Sequence, residues 1–207
     1  MKPKIILASQ SPRRRELLEL ITKDFEIQAA QIDEKRIENE ILQSQNDEFM
    51  VTSKRLVLEL ASRKAEVIQK INKKALVIGA DTVVVLNDKI LGKPIDELDA
   101  YNMIKQLSGN THHVLTGVSI RFGAVEDCFV SVSKIKFYKW SQQMKREVSA
   151  YAASGKANDK AGAYGIQEEA GLWVKEIKGD YNNIVGLPIA KLNKRLNKML
   201  ALINQER

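Results

Sequence analysis

Ile5-Ile6-Leu7-Ala8, Ser9-Gln10-Ser11-Pro12 and Arg13-Arg14-Arg15-Glu16-Leu17-Leu18 follow one another near the start of the chain and read as a strand, a tight turn and a helix N-terminus. The apolar run has strand length, and Glu16, Leu17, Leu18, Glu19 and Leu20 then follow an amphipathic helical pattern. Ser11 suits the N-cap, where a hydroxyl accepts an otherwise orphaned N–H. Pro12 suits the first helical position, since its missing N–H is not needed there and its φ is already helical. The three arginines run against this pattern, because each cation at the positive end of the helix dipole costs roughly a few tenths of a kcal/mol. A bound phosphate resolves the conflict: backbone N–H groups, serine hydroxyls and guanidinium forks all converge on it. A solvated basic face is the plainer alternative.

Outward from this start, composition bounds the class. A chain of 207 residues, 44% hydrophobic and 29% charged, is large enough to bury about 70% of its unfolded surface in an α/β domain or in two lobes. Lone Cys128 cannot close an internal disulfide, which fits a reducing compartment and predicts a cytoplasmic location. Too few apolar residues precede Ser9 for a signal peptide, and no run approaches the ~18 of a membrane helix, so no membrane association is expected. A net charge of +7 suits anionic ligands, but the lysines are scattered and aromatics are only 6% of the chain. Stacking platforms for nucleic acid are missing from that pattern, so small anions are the expected partners.

Along the chain, Phe25–Ala29 reads as a second strand and Asp33-Glu34-Lys35 as a loop, where paired acids either hold magnesium or are simply solvated. From about Asp47 to Ile71, apolar residues fall at helical spacing, with Lys64 one lysine among many on the polar positions. Ala75–Leu86 is nearly continuous in β-branched and apolar residues, as in a strand buried on both faces, yet Asp81 stands in its middle. An unpaired buried carboxylate costs several kcal/mol. Asp81 therefore meets a cation, a metal or a cleft, or else caps a local bulge; a cleft-facing carboxylate can serve as a base. Asn87-Asp88-Lys89 reads as a hairpin turn that brings Lys93 back toward Asp81.

Asp96–Leu107 reads as a helix stopped at Gly109, His113–Phe122 and Cys128–Trp140 as an antiparallel pair joined by Gly123–Asp127, and Ser141–Ser154 as another helix. His112 and His113, adjacent on a strand, point to opposite faces and read as structural; Cys128 in its apolar strand reads as core. The small residues of Asp159-Lys160-Ala161-Gly162-Ala163-Tyr164-Gly165-Ile166-Gln167 permit close approach to a ligand, and the Gln167 amide has the donor and acceptor to read a base edge. Leu172–Ile177 is a strand, Gly179–Asn183 a turn, and the run from Ile189 to Ile203 a helix whose apolar stripe is core.

Six strings in order resemble the Maf family of septum formation proteins: Ser9-Gln10-Ser11-Pro12-Arg13-Arg14, Gly79-Ala80-Asp81-Thr82-Val83-Val84, Gly92-Lys93-Pro94, Leu107-Ser108-Gly109, Asp159 through Gln167, and Gly179-Asp180-Tyr181 through Gly186-Leu187-Pro188. The resemblance runs from residue 5 to about residue 192. It implies one α/β domain over residues 1–207 with the inosine triphosphate pyrophosphatase-like fold, a long mixed sheet forming two lobes around a nucleotide-binding cleft, and a homodimer. It further implies a house-cleaning nucleoside triphosphate pyrophosphatase. Asp81 is then the proton acceptor, with Ser9, Arg13, Arg14, Lys64 and Lys93 around the triphosphate. Glu34 helps to hold a divalent metal, magnesium before manganese or cobalt. Arg13, Thr82 and Gln167 match the specificity positions of the branch acting on dTTP and UTP, modified pyrimidine nucleotides included.

Together these readings predict water attack on the α-phosphorus, releasing pyrophosphate, with Asp81 either as base or as metal ligand. On this account, removing Arg14 weakens nucleotide binding without lowering the stability of the ligand-free protein. The family usually has glycine after Gln167, whereas Glu168-Glu169 here adds two acids beside the expected base pocket. A non-catalytic nucleotide sensor linked to cell-division arrest is the rival reading. Asp81 argues against it, since an acid beside a triphosphate repels the ligand unless a metal intervenes.

Overall fold

The computed structural model describes residues 3–43 and 48–205. In chain order the elements are β1 (Ile5–Leu7), α1 (Pro12–Glu19), β2 (Glu26–Ile27), α2 (Glu34–Gln43), α3 (Phe49–Ile71), β3 (Leu76–Leu86), β4 (Lys89–Leu91), α4 (Glu97–Leu107), β5 (Thr111–Phe122), β6 (Val125–Phe137), α5 (Gln142–Ala153), β7 (Val174–Lys178), α6 (Tyr181–Val185) and α7 (Ile189–Gln205). The seven strands form one sheet in the order β2-β1-β3-β5-β6-β7, with β4 paired to β3. The sheet is mixed: β1 runs parallel to β2 and β3, whereas β4 is antiparallel to β3 and β7 to β6. This is the expected α/β class.

The chain divides into two compact units. The first contains the chain up to Asp81, Thr116–Ser131 and the chain from Gly186; the second contains Thr82–Leu115 and Val132–Val185. In the first, Ile6, Ala8, Ala65, Ile68, Ala75 and Val77 form a buried cluster that joins β1 and β3 to α3. Two glycines set how closely α3 lies on the sheet. A Cβ at Gly79 would stand 2.1 Å from the Ala61 carbonyl oxygen, and one at Gly117 2.2 Å from that of Val57. Only residues without a side chain allow this approach. Lys64, three residues beyond Ala61, is thereby brought over the strand just past Gly79. The predicted stripe of α7 is buried at Leu192, Leu196, Met199 and Ile203.

In the second unit the β3–β4 hairpin turns at Asn87 and Asp88, whose φ values of 47° and 56° are the left-handed pair that a two-residue hairpin turn needs. Helix α4 starts where the Asp96 carboxylate accepts the Asp99 N–H at 2.7 Å, and α5 where the Ser141 hydroxyl accepts the Met144 N–H at 3.1 Å. His112, Phe137, Tyr164 and Trp173 form a chain of edge-to-face rings that ends on Tyr151. Such contacts contribute about 0.5–1.5 kcal/mol each beyond burial. They make a rigid seat for the segment around Tyr164.

Several expectations need correction. Asp33-Glu34-Lys35 is not a loop: the Asp33 carboxylate accepts the Arg36 N–H at 3.0 Å, and α2 begins at Glu34. Cys128 is exposed, not core, because β6 alternates and the neighbouring Phe129 takes the buried face. Strand β6 starts at Val125, since a turn at Gly123 (φ 58°) replaces the longer connection. Residues Glu169–Trp173 form a 3-10 turn, so β7 starts at Val174, and Tyr181–Val185 is a short helix. Asp47, the expected start of the long helix, lies outside the described residues. His112 and His113 do diverge: His112 is buried with Nε2 2.8 Å from the Tyr164 hydroxyl, and His113 is only half-buried.

Candidate active site

The turn between β1 and α1 is built by its own serines. Buried Ser9 accepts the Ser11 N–H at 3.2 Å, and Ser11 caps α1 by accepting the Arg14 N–H at 3.4 Å, with Pro12 at the first helical position. The Arg14 side chain then reaches across the first unit. Its Nε donates to the Gly186 carbonyl and its Nη1 to the Ala80 carbonyl, both at 2.9 Å, with Ser9 Oγ 3.4 Å from Nη1. Burial lowers the Arg14 pKa; the nearby Asp81 charge acts in the opposite sense, and Arg13 adds to the lowering. Arg13 is half-buried beside it, while Arg15 pairs with Glu19 one turn on.

Arg14 is therefore tied into the fold of the first unit. Two carbonyls accept from it, which argues against the expectation that its loss leaves the ligand-free protein equally stable.

Asp81, the acid within the buried strand, meets a cation. Lys64 Nζ lies 2.7 Å from Asp81 Oδ1 and 2.7 Å from Glu34 Oε1, so one ammonium joins α3, β3 and the start of α2. Lys64 and Asp81 are both buried, whereas the Glu34 side chain is 54% exposed. The same helix α2 supplies a residue that sequence reasoning missed. Glu38, one turn beyond Glu34, has its pKa raised by partial burial first and then by the charges of Asp81 and Glu34. Four-residue spacing from Glu34 is the signal that finds it, once the segment is known to be helical.

Among the described residues no three His, Cys, Asp or Glu side chains are placed to hold a metal by themselves. Glu34 and Asp81 nevertheless converge on a single cation with hard oxygen donors. Two carboxylates are a donor set that a hard divalent cation takes, with other oxygens in its remaining positions. Ser9, Arg13, Arg14, Glu34, Lys64 and Asp81 are thus brought together in the first unit.

Thr82, Lys93 and Gln167 belong to the second unit. Thr82 is half-buried and follows Asp81 on β3; Lys93 is exposed just beyond β4, whose Leu91 pairs with Val84. Gln167 is exposed at the tip of a turn whose neighbour Ile166 points inward and is buried. Gly162 (φ 69°) accommodates this segment: its N–H donates to the Gly92 carbonyl at 2.9 Å, and a Cβ there would press on Val84 at 3.0 Å. The two acids that follow Gln167 are not loose charges. Glu168 pairs with Lys160 and Glu169 with Lys156.

Over residues 4–199 the chain matches the family described as Maf-like protein. A Geobacillus sp. (strain WCH70) protein named dTTP/UTP pyrophosphatase is 44% identical over 195 residues, which cover 94% of this chain and 97% of that protein. Proteins of the same name from Clostridioides difficile (strain 630) and Thermococcus kodakarensis are each 44% identical, covering 96% and 89% of this chain and 96% and 91% of their own lengths. A solved structure, the Staphylococcus aureus Ham1 protein, covers 99% of this chain and 100% of its own at a TM-score of 0.44 and 12% identity, a likeness too distant to carry weight.

Proposed function

Because this chain belongs to the Maf-like protein family, we propose that it is a nucleoside triphosphate pyrophosphatase, splitting dTTP and UTP into the nucleoside monophosphate and pyrophosphate. The observation that carries this reading to particular atoms is the buried Asp81 held by Lys64 next to Glu34, on the same unit as the arginine-rich start of α1. A triphosphate brings several negative charges to a site that already contains two carboxylates. Lys64 offsets those carboxylates, and Arg13, Arg14 and the N-terminus of α1 offset the phosphates.

Asp81 orients the attacking water and takes its proton as the bond to the α-phosphorus forms, while the pyrophosphate group departs with the electrons of the broken P–O bond. A divalent cation held by Glu34 and Asp81 would supply charge neutralisation of the phosphate oxygens and a more acidic water. Magnesium is the cation of choice, with manganese or cobalt as substitutes. Ser9 and Lys93 complete the phosphate contacts. Thr82 and Gln167 face the nucleobase, where the Gln167 amide pairs its oxygen with the imino N–H of uracil or thymine and its N–H with a ring carbonyl. Cytosine lacks that imino proton and leaves an acceptor facing an acceptor. The setting is a cytoplasmic nucleotide pool that includes modified pyrimidine nucleotides, and the assembly a homodimer, measurable by light scattering.

The test is kcat/KM with magnesium for dTTP, UTP, CTP, GTP and 7-methyl-GTP, with products separated. dTTP and UTP should lead, with pyrophosphate as the first product. A best rate on 7-methyl-GTP or CTP would overturn the substrate, and orthophosphate as first product would overturn the reaction. Asp81→Asn should lower kcat by at least ~100-fold while the protein still folds; near-normal turnover removes Asp81 from the chemistry.

A further inference from the structure

Gln167 occupies the third position of the four-residue turn Gly165-Ile166-Gln167-Glu168, closed by the Glu168 N–H donating to the Gly165 carbonyl at 3.0 Å. Within it Ile166 is buried and Gln167 exposed, so the turn has an anchored side and a presented side. Both ends of the turn meet one phenol. The Tyr151 hydroxyl accepts the Gly165 N–H at 3.1 Å and donates to Glu168 Oε2 at 2.7 Å. The other carboxylate oxygen of Glu168 lies 3.0 Å from Lys160 Nζ, a side chain only 7% exposed that also donates to Asp159 and to the Lys156 carbonyl.

Tyr151 is itself fixed, buried on α5 with its ring edge-to-face on Trp173 at 5.5 Å. A Cβ at Gly165 would stand 2.6 Å from Lys160 Cε and 2.9 Å from the Glu168 carboxylate, so a side chain there would push on this pair. The acid that departs from the family's usual glycine is thus the centre of a clamp, with two partners that have little freedom to move.

We propose that Glu168 is a positioning residue for nucleobase selection: tied to Tyr151 and Lys160, it fixes the Gly165–Glu168 turn and with it the direction in which Gln167 offers its amide. A carboxylate held from both sides restrains the turn through ties that a glycine at that position cannot make, and an amide with less freedom to turn discriminates better between base edges. Glu168 touches neither phosphate nor reacting atoms in this scheme, and its effect passes through Gln167. The proposal rests on the reading that Gln167 faces the base.

The experiment compares Gln167→Ala, Glu168→Ala, Glu168→Gln, Tyr151→Phe and the Gln167→Ala/Glu168→Ala double variant, measuring kcat and KM for dTTP and CTP. Glu168→Ala should lower the dTTP-over-CTP ratio by about tenfold, with the loss in the KM for dTTP and not in kcat. Tyr151→Phe, which keeps the ring against Trp173 and so remains informative if the Glu168→Ala protein does not fold, should move the ratio the same way. Glu168→Gln still accepts from Tyr151 and should recover part of it.

In the double variant the Glu168 change should add nothing to the Gln167 change, as expected of residues that act as a unit. If Gln167→Ala lowers the ratio but Glu168→Ala and Tyr151→Phe do not, or if they weaken dTTP and CTP equally, the clamp has no part in selection and the proposal fails alone. If Gln167→Ala itself leaves the ratio unchanged, the base-reading role fails and takes the proposal with it.

Discussion

Lys64→Met tests the arrangement at the heart of the site by removing the charge and keeping an apolar stem of similar length. Lys64 and Asp81 are 11% and 12% exposed at their side chains, while Glu34 is 54% exposed. Breaking a buried ion pair from one side costs about 3–5 kcal/mol, because the remaining charge is left without compensation. A half-exposed partner such as Glu34 adds at most about 1 kcal/mol. Since the pair keeps slight access to water, a loss of about 3 kcal/mol is expected, a large share of the ~5–15 kcal/mol that holds a domain together. In a chain of this size that corresponds to a fall of about 6–12 °C in Tm. Urea unfolding without nucleotide, followed by tryptophan fluorescence, reads the loss. Lys64→Met/Asp81→Asn removes the stranded charge and should recover at least half of it. A Lys64→Met protein within about 1 kcal/mol of wild type, or a double variant no more stable than the single one, would refute the reasoning.

Arg14→Ala should lower ligand-free stability by about 2 kcal/mol, as two carbonyls lose a charged donor, and should also weaken protection by dTTP in thermal melts. An unchanged melt without nucleotide would return Arg14 to a purely phosphate-binding role. Gly79→Ala forces α3 away from β3 and should cost about 3 kcal/mol, with turnover falling as Lys64 and Asp81 part; full activity would show that the close helix approach is not what positions them. Burial holds the His112 pKa down to about 3, from an ordinary 6.5. The folded protein keeps His112 neutral where the unfolded chain binds a proton, so its contribution is complete above pH ~6.5 and is lost as pH falls toward ~3, by up to ~1.4 kcal/mol per pH unit. Stability measured from pH 7 to 4 should fall less steeply for His112→Gln than for wild type, and equal slopes would contradict the assignment.

What the sequence made legible was local. The Ser11 cap, Pro12 and the Asn87-Asp88 turn are decided by residues within four positions of one another, and the structure has each of them there. Asp81 announced itself because a carboxylate in a buried strand demands a partner. The partner was not legible: Lys64 lies 17 positions away on a helix with several lysines, and only the packing of α3 on Gly79 singles it out. Helix α2 is hard to read because it is short, mostly charged or polar and buries only Ile37, and Glu38 goes with it. Cys128 was misplaced because a strand's composition does not reveal which face is covered. The Glu168 clamp joins residues from α5 and two turns, a meeting that no spacing rule encodes.

In the proposed reaction water attacks the α-phosphorus of dTTP. Turnover in ¹⁸O-labelled water, with both products examined by mass spectrometry, tests it most directly. Attack at that phosphorus puts one labelled oxygen in dTMP and none in pyrophosphate; label in pyrophosphate, or release of orthophosphate in the first turnover, would contradict it.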